Sequence, residues 1–374
     1  MRRFIPGKKS MLGALGALAV LGGLALWQKD RLLAWYHVRQ LAQADDASRE
    51  ERVKQVVAVG QACVGGLVDR LTQGDEAVCV NMEDGLVALG LDWGRDDPRT
   101  QELLRQVHDA FTTAGVRGRV ACLNVTRAII ESRGPAQRLP AEAAKLAANL
   151  LERADAETNT AALRLARAFL ERVPPGEGSG LCRVLALKGL GAGAVGTRLA
   201  ALGVVVQTPF KKDQDLLQRV VPLLKDKEAR IRKAALVALA GERDLVPDDD
   251  LILLLHDPDL GVQDVCEQAL RSRGLQDSHI LLARLISDDD PAARLQVLDH
   301  LHRAPDLAPG VWLERLTRDP APAVRAAAVR AAAGAPEAGL RSRLGEMARG
   351  DASPTVRQLA VFYLTKGARR RSGD

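Results

Sequence analysis

Three glycines, Gly191, Gly193 and Gly196, stand at G-x-G-x-x-G spacing between the apolar run Leu185–Leu190 and the valines 204–206. In a dinucleotide-binding domain such glycines let the backbone approach a pyrophosphate at a helix N-terminus. That chemistry needs several βαβ units and an acidic residue closing the second strand, whereas here Gln207 follows the valines and both flanks have helical periodicity. An isolated βαβ unit would also leave unpaired strand edges. The spacing therefore predicts glycines that loosen a turn or let two helices approach closely.

Other reactive side chains are equally poor in catalytic patterns. His37, His108, His256, His279, His300 and His302 form no ligand spacing, and none precedes a Glu. His300 and His302, two residues apart, would point about 200° apart on a helix, which is wrong for one metal ion. The triplets Asp248-Asp249-Asp250 and Asp288-Asp289-Asp290 lie where helices begin, so they are expected to cap and to favour the positive dipole end, with a calcium site as the minor alternative. There is no G-x-S-x-G and no Walker A loop. Cys63, Cys79, Cys122, Cys182 and Cys266 contain no C-x-x-C pair and read as small buried hydrophobes. A Cys63–Cys79 bridge stays open if the body is exported. No catalytic residue, cofactor or metal is expected.

The elements that carry these residues are helical. Aromatics make up only 3% of the chain, so a core must come from small and aliphatic side chains between close helices. Residues 11–27, MLGALGALAVLGGLALW, carry no charge and follow Arg2, Arg3, Lys8 and Lys9. At helical rise they cover about 25 Å, just short of a hydrocarbon core unless the flanks contribute. The only A-x-A lies inside the run, which favours an uncleaved transmembrane signal-anchor (11–28) after a basic cytoplasmic leader (1–10) over a cleaved signal peptide or a buried soluble helix. The excess of basic residues before the run places the N-terminus in the cytoplasm and the body outside it, in the periplasm or at the cell surface. Trp27, Trp35 and Tyr36 read as interfacial aromatics, and residues 29–44 as a juxtamembrane helix acting as a stalk.

Downstream the chain repeats itself. Asp226, Asp257, Asp288, Asp319 and Asp351 recur at intervals of 31, 31, 31 and 32 residues. Five residues after each comes Ile231, Val262, Ala293, Val324 or Val356; the next is Arg232, Gln263, Arg294, Arg325 or Arg357. Nine after comes Ala235, Cys266, Val297, Ala328 or Ala360, and thirteen after, Leu239, Leu270, Leu301, Ala332 or Leu364. These offsets share one helix face, and clusters such as LILLL and ILLARLI supply a first helix before each Asp. A helix pair of this size cannot bury its faces alone, but stacked copies share a core.

With its D-x-x-x-x-V-R units the sequence resembles the HEAT-repeat family, in its short bacterial form, over residues 211–368. Gln263 and Ala293 depart from the pattern. The resemblance implies an all-α solenoid of stacked helix pairs in which the Asp and Arg columns form a structural ladder between repeats. It also brings an alternative, a HEAT-type lyase or another enzyme subunit; the His-Glu iron ligands of the family's hydroxylases are missing. Residues 45–210 read as degenerate repeats, with Asp75, Val80 and Asn81 in the Asp, Val and Arg columns, and 369–374 as a basic tail.

The net charge of +6 sits in residues 1–40, where seven basic residues face Asp30 alone; beyond them basic and acidic residues are equal in number. A neutral body offers no field for nucleic acid. The expectation is a non-catalytic, membrane-tethered scaffold holding a protein partner on the concave face of the second helices, with no small-molecule substrate; a rigid spacer is the bland alternative. Seven and eleven residues past each Asp the outward columns supply the partner-binding candidates Lys233, Asp264, Gln268, Asp299, Arg330 and Phe362.

Overall fold

The computed structural model describes residues 29–132, 139–174, 176–303, 307–335 and 338–371. Among them every regular element is an α-helix or a short 3-10 turn. No described helix is long and apolar enough to cross a membrane, and the apolar run 11–28 lies outside the described residues. The chain divides into two compact units, one ending at Val220 and one beginning at Val221, ten residues later than the change from degenerate to regular repeats in the sequence.

The first unit holds α1 (29–42), α2 (Arg49–Val59), α3 (Val64–Gln73), α4 (Glu76–Trp93), α5 (Pro98–Ala110), α6 (Val116–Glu131), α7 (Ala141–Glu152), α8 (Asn159–Leu170), α9 (Ser179–Leu190), α10 (Val195–Val205) and α11 (Gln214–Val220). They form two layers: α3, α5, α7, α9 and α11 pack in series, and so do α2, α4, α6, α8 and α10. Local chemistry sets the breaks. Asp75 caps α4 by accepting from Val78 N–H at 3.0 Å, and Asp97 precedes Pro98 at the start of α5. Gly94 ends α4 at φ 85°, a conformation that favours glycine. The run 204–206, which has the look of a strand, belongs to the end of α10, because its valines complete a helical stripe in which Val204 and Val205 are buried.

One register in this unit differs from expectation. Val80, placed in the buried Val column, is 40% exposed, while Cys79, Asn81 and Met82 are buried. The capping Asp75 starts α4 directly, without the two-residue turn that follows each Asp of the regular repeats, so the inward stripe shifts.

The second unit begins with a 3-10 turn (Val221–Lys225) and continues through α12 (Ala229–Leu239), α13 (Asp248–Ile252) with its 3-10 extension (Leu253–His256), α14 (Leu260–Ser272), α15 (Asp277–Ile286), α16 (Pro291–Arg303), α17 (Pro309–Leu316), α18 (Pro322–Gly334), α19 (Arg341–Gly350) and α20 (Pro354–Arg371). Each Asp of the 31-residue period ends a first helix, and a second helix follows within a few residues. The helix α20 runs through Arg371, so residues 369–371 continue the helix where the sequence suggested a tail. The nine-residue column is buried throughout: Ala235, Cys266, Val297, Ala328 and Ala360 are each 0% exposed. Small residues there let second helices stack closely, and α12 packs on α14, α16 on α18 and α18 on α20.

The pair α14 and α16 packs least of these neighbours. Here Gln263 replaces Arg and reaches only its own unit, donating from Nε2 to Asp257 O at 2.6 Å. Replacing Gln263 with Arg is expected to add a rung to Asp288 and stabilise this unit by about 0.5–2 kcal/mol, read as a higher urea midpoint. An unchanged or lower midpoint would show that the spacing at this seam does not admit a rung.

Candidate functional site

The repeated charges lie between units rather than around a cavity. Arg232 grips the following unit's Asp257 with both arms, Nε to Oδ2 at 2.7 Å and Nη2 to Oδ1 at 2.6 Å. Its Nη1 turns back to the carbonyls of Asp226 and Lys227 at 2.9 and 3.1 Å. Arg294 repeats this on Asp319 (2.7 and 3.0 Å) and on the carbonyls of Asp288 and Asp289, and Arg325 on Asp351 (both 2.9 Å) and the carbonyls of Asp319 and Pro320. Among the described residues Arg357 makes only the backward bonds, to Asp351 O and Ala352 O. Each Asp also accepts the N–H two residues on, which shapes the turn: Asp226 from Glu228, Asp257 from Asp259, Asp288 from Asp290, Asp319 from Ala321 and Asp351 from Ser353.

The rungs tune their carboxylates. At Asp257 burial pushes the pKa up, but the Arg232 hydrogen bond and charge and the Asp259 N–H outweigh it, and the net shift is downward. At Asp351 the Arg325 hydrogen bond dominates burial and lowers it, and Arg183 does the same for Asp213 in the first unit. A folded-state pKa below the unfolded value means stability that is present above the unfolded pKa and lost as pH falls through the folded one. Urea midpoints are therefore expected to drop as pH falls below about 4, and Asp257→Asn with Asp351→Asn to flatten that dependence. An equally steep profile in the double variant would place the acid sensitivity elsewhere.

The glycine motif belongs to the same scheme. Gly191 and Gly193 lie in the turn between α9 and α10, and Arg198 donates from Nη1 to Ala192 O at 2.9 Å and Gly193 O at 2.7 Å. These carbonyls lie six and five residues before the arginine, the same offsets as those bound by Arg232, Arg294, Arg325 and Arg357. Ala192 thus stands in the Asp column. A Cβ at Gly191, Gly193 or Gly196 would meet nothing closer than 3.9 Å and none of the three has a positive φ, so these glycines do not permit a close helix approach. That role belongs to Gly189, where a Cβ would lie 2.6 Å from Leu163 Cδ1 and 2.9 Å from Ala201 Cβ.

Several pairs escape the 31-residue pattern. Arg183 binds Asp213 through both arms, at 2.5 and 3.1 Å, and Arg119 reaches Asp155 at 3.0 Å from α6 to the turn before α8. Asn81, in the Arg column, faces backward, donating to Ala44 O at 2.9 Å and accepting from Arg49 Nε at 2.6 Å. Arg273 is deeply embedded. Its side chain is 2% exposed, and it binds Ala240 O, Val246 O, Leu239 O and Asp248 at 2.7, 2.8, 3.2 and 2.9 Å.

Reactive chemistry is scarce around these pairs. Two open clefts of about 390 and 410 Å³ follow the rungs of the second unit, one along Arg294 and Asp319, the other along Arg325 and Asp351. Most of their charged groups are held in pairs: Arg294 with Asp319, Arg325 with Asp351, Arg343 with Glu346, Arg315 with Asp249, and Arg318 with Glu314 beside the clefts. Asp248, Asp249 and Asp250 occupy the first turn of α13, and Asp290 accepts from Ala292 N–H at 2.9 Å at the start of α16. No group of three His, Cys, Asp or Glu among the described residues could hold a metal ion. All five cysteines are buried free thiols, so the Cys63–Cys79 bridge is not formed; Cys79 Sγ instead lies 3.5 Å from the carbonyls of Leu71 and Gly74. Burial pushes Cys122, Cys182 and Cys266 up to about 12 and Cys63 to about 11, which suppresses the thiolate.

Lys233, Asp264, Gln268, Asp299, Arg330 and Phe362 are all exposed on the second helices. Val237 beside them is 54% exposed, as is Phe362, over which Lys366 Nζ sits 5.8 Å from the ring centroid. The columns change chemistry from unit to unit while the ladder behind them stays nearly constant.

No protein-family model matches the chain, and no curated protein matches it. Among solved structures it is similar to importin beta, at 12% identity and a TM-score of 0.52, over 90% of this chain and 54% of that one. The fold is a helical-repeat solenoid. This chain spans about half the length of importin beta. An engineered protein also aligns, at 18% identity and a TM-score of 0.42, over 90% of this chain and 94% of that one.

Proposed function

We propose that this chain is a non-catalytic binding scaffold, tethered to a membrane by residues 11–28, which holds a protein partner on the second-helix face of its regular repeats. The observation that carries this reading is the division of labour among the charges. The repeated ones pair between units, whereas Lys233, Asp264, Gln268, Asp299, Arg330 and Phe362 stay exposed in columns of varied chemistry. Mixed charge with a few apolar side chains suits a protein ligand better than a polyphosphate. A role as a HEAT-type lyase subunit would need reactive or cofactor-holding groups in the clefts, most of whose charged side chains are held in ion pairs.

Orientation follows from the basic leader: N-terminus in the cytoplasm, repeats on the other side. Activity of a C-terminal reporter that works only outside the cytoplasm tests this. Partner binding is tested in cells with photo-crosslinking side chains at Asp264 and Gln268. Discrete adducts that disappear when Asp299 and Arg330 are charge-reversed, with helicity unchanged, support the reading. Adducts indifferent to the reversal would move the interface off this face, and none at either position would favour the spacer.

A further inference from the structure

In the sequence α1 lies next to the apolar run: Gln28 alone separates Trp27 from Lys29, the first described residue. The sequence suggested a free stalk, but α1 packs as the first helix of the array. Ala34, Val38 and Leu41 are 4%, 2% and 0% exposed and fall within one third of the helix circumference. Two glycines on the neighbouring helices face this stripe, and the second makes room for it. A Cβ at Gly66 of α3 would touch the Val38 side chain at 3.7 Å, and one at Gly85 of α4 would meet Leu41 Cδ2 at 2.9 Å. The rotation of α1 about its axis is therefore fixed, and with it the face turned away from the core.

That face is not the polar one expected of a surface helix. Leu32, Trp35 and Tyr36 are 67%, 56% and 48% exposed, and Leu33 at its edge is 38% exposed. Four large exposed hydrophobics within five residues have no parallel elsewhere among the described residues, where they stand singly or, at Val361 and Phe362, as one pair. The charges on the face are cationic: Lys29 and Arg39 lie three residues before and seven after Leu32, and the Arg39 guanidinium sits 5.4 Å from the Trp35 ring centroid. Asp30 is about a quarter turn or more away from this row, towards the core stripe.

We propose that the Leu32–Trp35–Tyr36 face of α1 lies in the interfacial layer of a phospholipid bilayer, with Lys29 and Arg39 on anionic headgroups. The inference rests on the tether proposed above, because a run seated in hydrocarbon up to Trp27 delivers α1 to the interface within two residues. Indole and phenol rings partition to that layer, aliphatic side chains enter the acyl boundary, and each cation near an anionic leaflet adds attraction. A protein surface could cover an apolar helix as well, but the all-cationic charge of this face and its place at the foot of an apolar run favour lipid. The first unit would then be held flat against the membrane by α1, with no spacer between bilayer and repeats.

The test uses the full chain with a spin label at Leu32→Cys or, separately, at Gln268→Cys; the native thiols are buried and compete little for label. Protein is reconstituted into phosphatidylcholine vesicles with and without phosphatidylglycerol. Flotation reads the tether, and collision with oxygen against an aqueous nickel complex reads the surroundings of the label. Expected is flotation with a several-fold lower nickel collision rate and a higher oxygen rate at position 32 than at 268. That contrast should shrink when phosphatidylglycerol is omitted or when Lys29 and Arg39 are both changed to Gln. Flotation with equal nickel access at both positions overturns the docked face and leaves the tether standing. Shielding from both reagents means a protein cover and overturns the lipid assignment, and shielding indifferent to phosphatidylglycerol overturns the anionic headgroups. Failure to float removes the tether and this inference together.

Discussion

Arg273→Met is expected to destabilise the second unit by about 3–5 kcal/mol, in the range seen when one partner of a buried charged network is removed. Methionine matches much of the volume but donates nothing. The guanidinium serves the carbonyls of Leu239 and Ala240 at the end of α12 and Val246 in the following loop, and also Asp248 at the start of α13. Leu239 O also accepts Glu242 N–H at 3.0 Å, but carbonyls at a helix C-terminus have no partner in their own helix, so the loss falls on Ala240 O and Val246 O. Arg273→Lys keeps the charge but offers a point donor in place of a planar fork, and should recover less than half the loss. Because repeats couple mainly to their neighbours, the damage should be local: hydrogen exchange is expected to rise across α12, α13 and α14 while α18 and α20 keep their protection. A midpoint shift worth less than about 1 kcal/mol would mean that water replaces the side chain at little cost.

Arg273 also marks a limit of sequence reading. The helical fold, the period and the ladder columns were legible because each rests on a residue type repeated at fixed spacing. Arg273 is not: it stands sixteen residues after Asp257, and the sixteenth residue after Asp288 is Ala304, after Asp319 Ala335. Nothing local distinguishes it from the many exposed arginines, since its partners are backbone carbonyls that leave no mark in sequence. Arg198 was hidden differently. Its signal was the offset of six residues from a breaker, but Ala192 occupies the Asp position and the surrounding glycines pointed to phosphate binding instead. The shifted register at Val80 has a third cause, the tight cap by Asp75. The outward face of α1 was visible as aromatics near an apolar run, yet only its packing through Val38 and Leu41 fixes which side they present.

The rungs themselves should be worth most where both partners are buried. Arg294 and Asp319 have side chains 8% and 4% exposed, so Arg294→Ala strands a desolvated carboxylate and is expected to cost about 3–5 kcal/mol. Asp319→Ala should cost a similar amount, because it strands the guanidinium and also removes the acceptor for Ala321 N–H. The double variant should lose clearly less than the sum, the difference being the coupling between them. Arg357→Ala supplies the internal contrast. Among the described residues Arg357 binds only the two backward carbonyls and pairs with no aspartate, so its loss should cost about 1 kcal/mol. Added salt should scarcely change the Arg294 result, since a pair this buried is poorly screened. If Arg294→Ala and Arg357→Ala cost the same, the forward pair contributes nothing net and the arginine column acts through its turn carbonyls alone. The distinction bears on function. A forward pair that couples neighbouring units holds second helices in register, so side chains 31 residues apart, such as Asp299 and Arg330, can present one surface to a partner. A column that only shapes its own turn would leave that surface to apolar packing, and a partner would then meet repeats free to shift against one another.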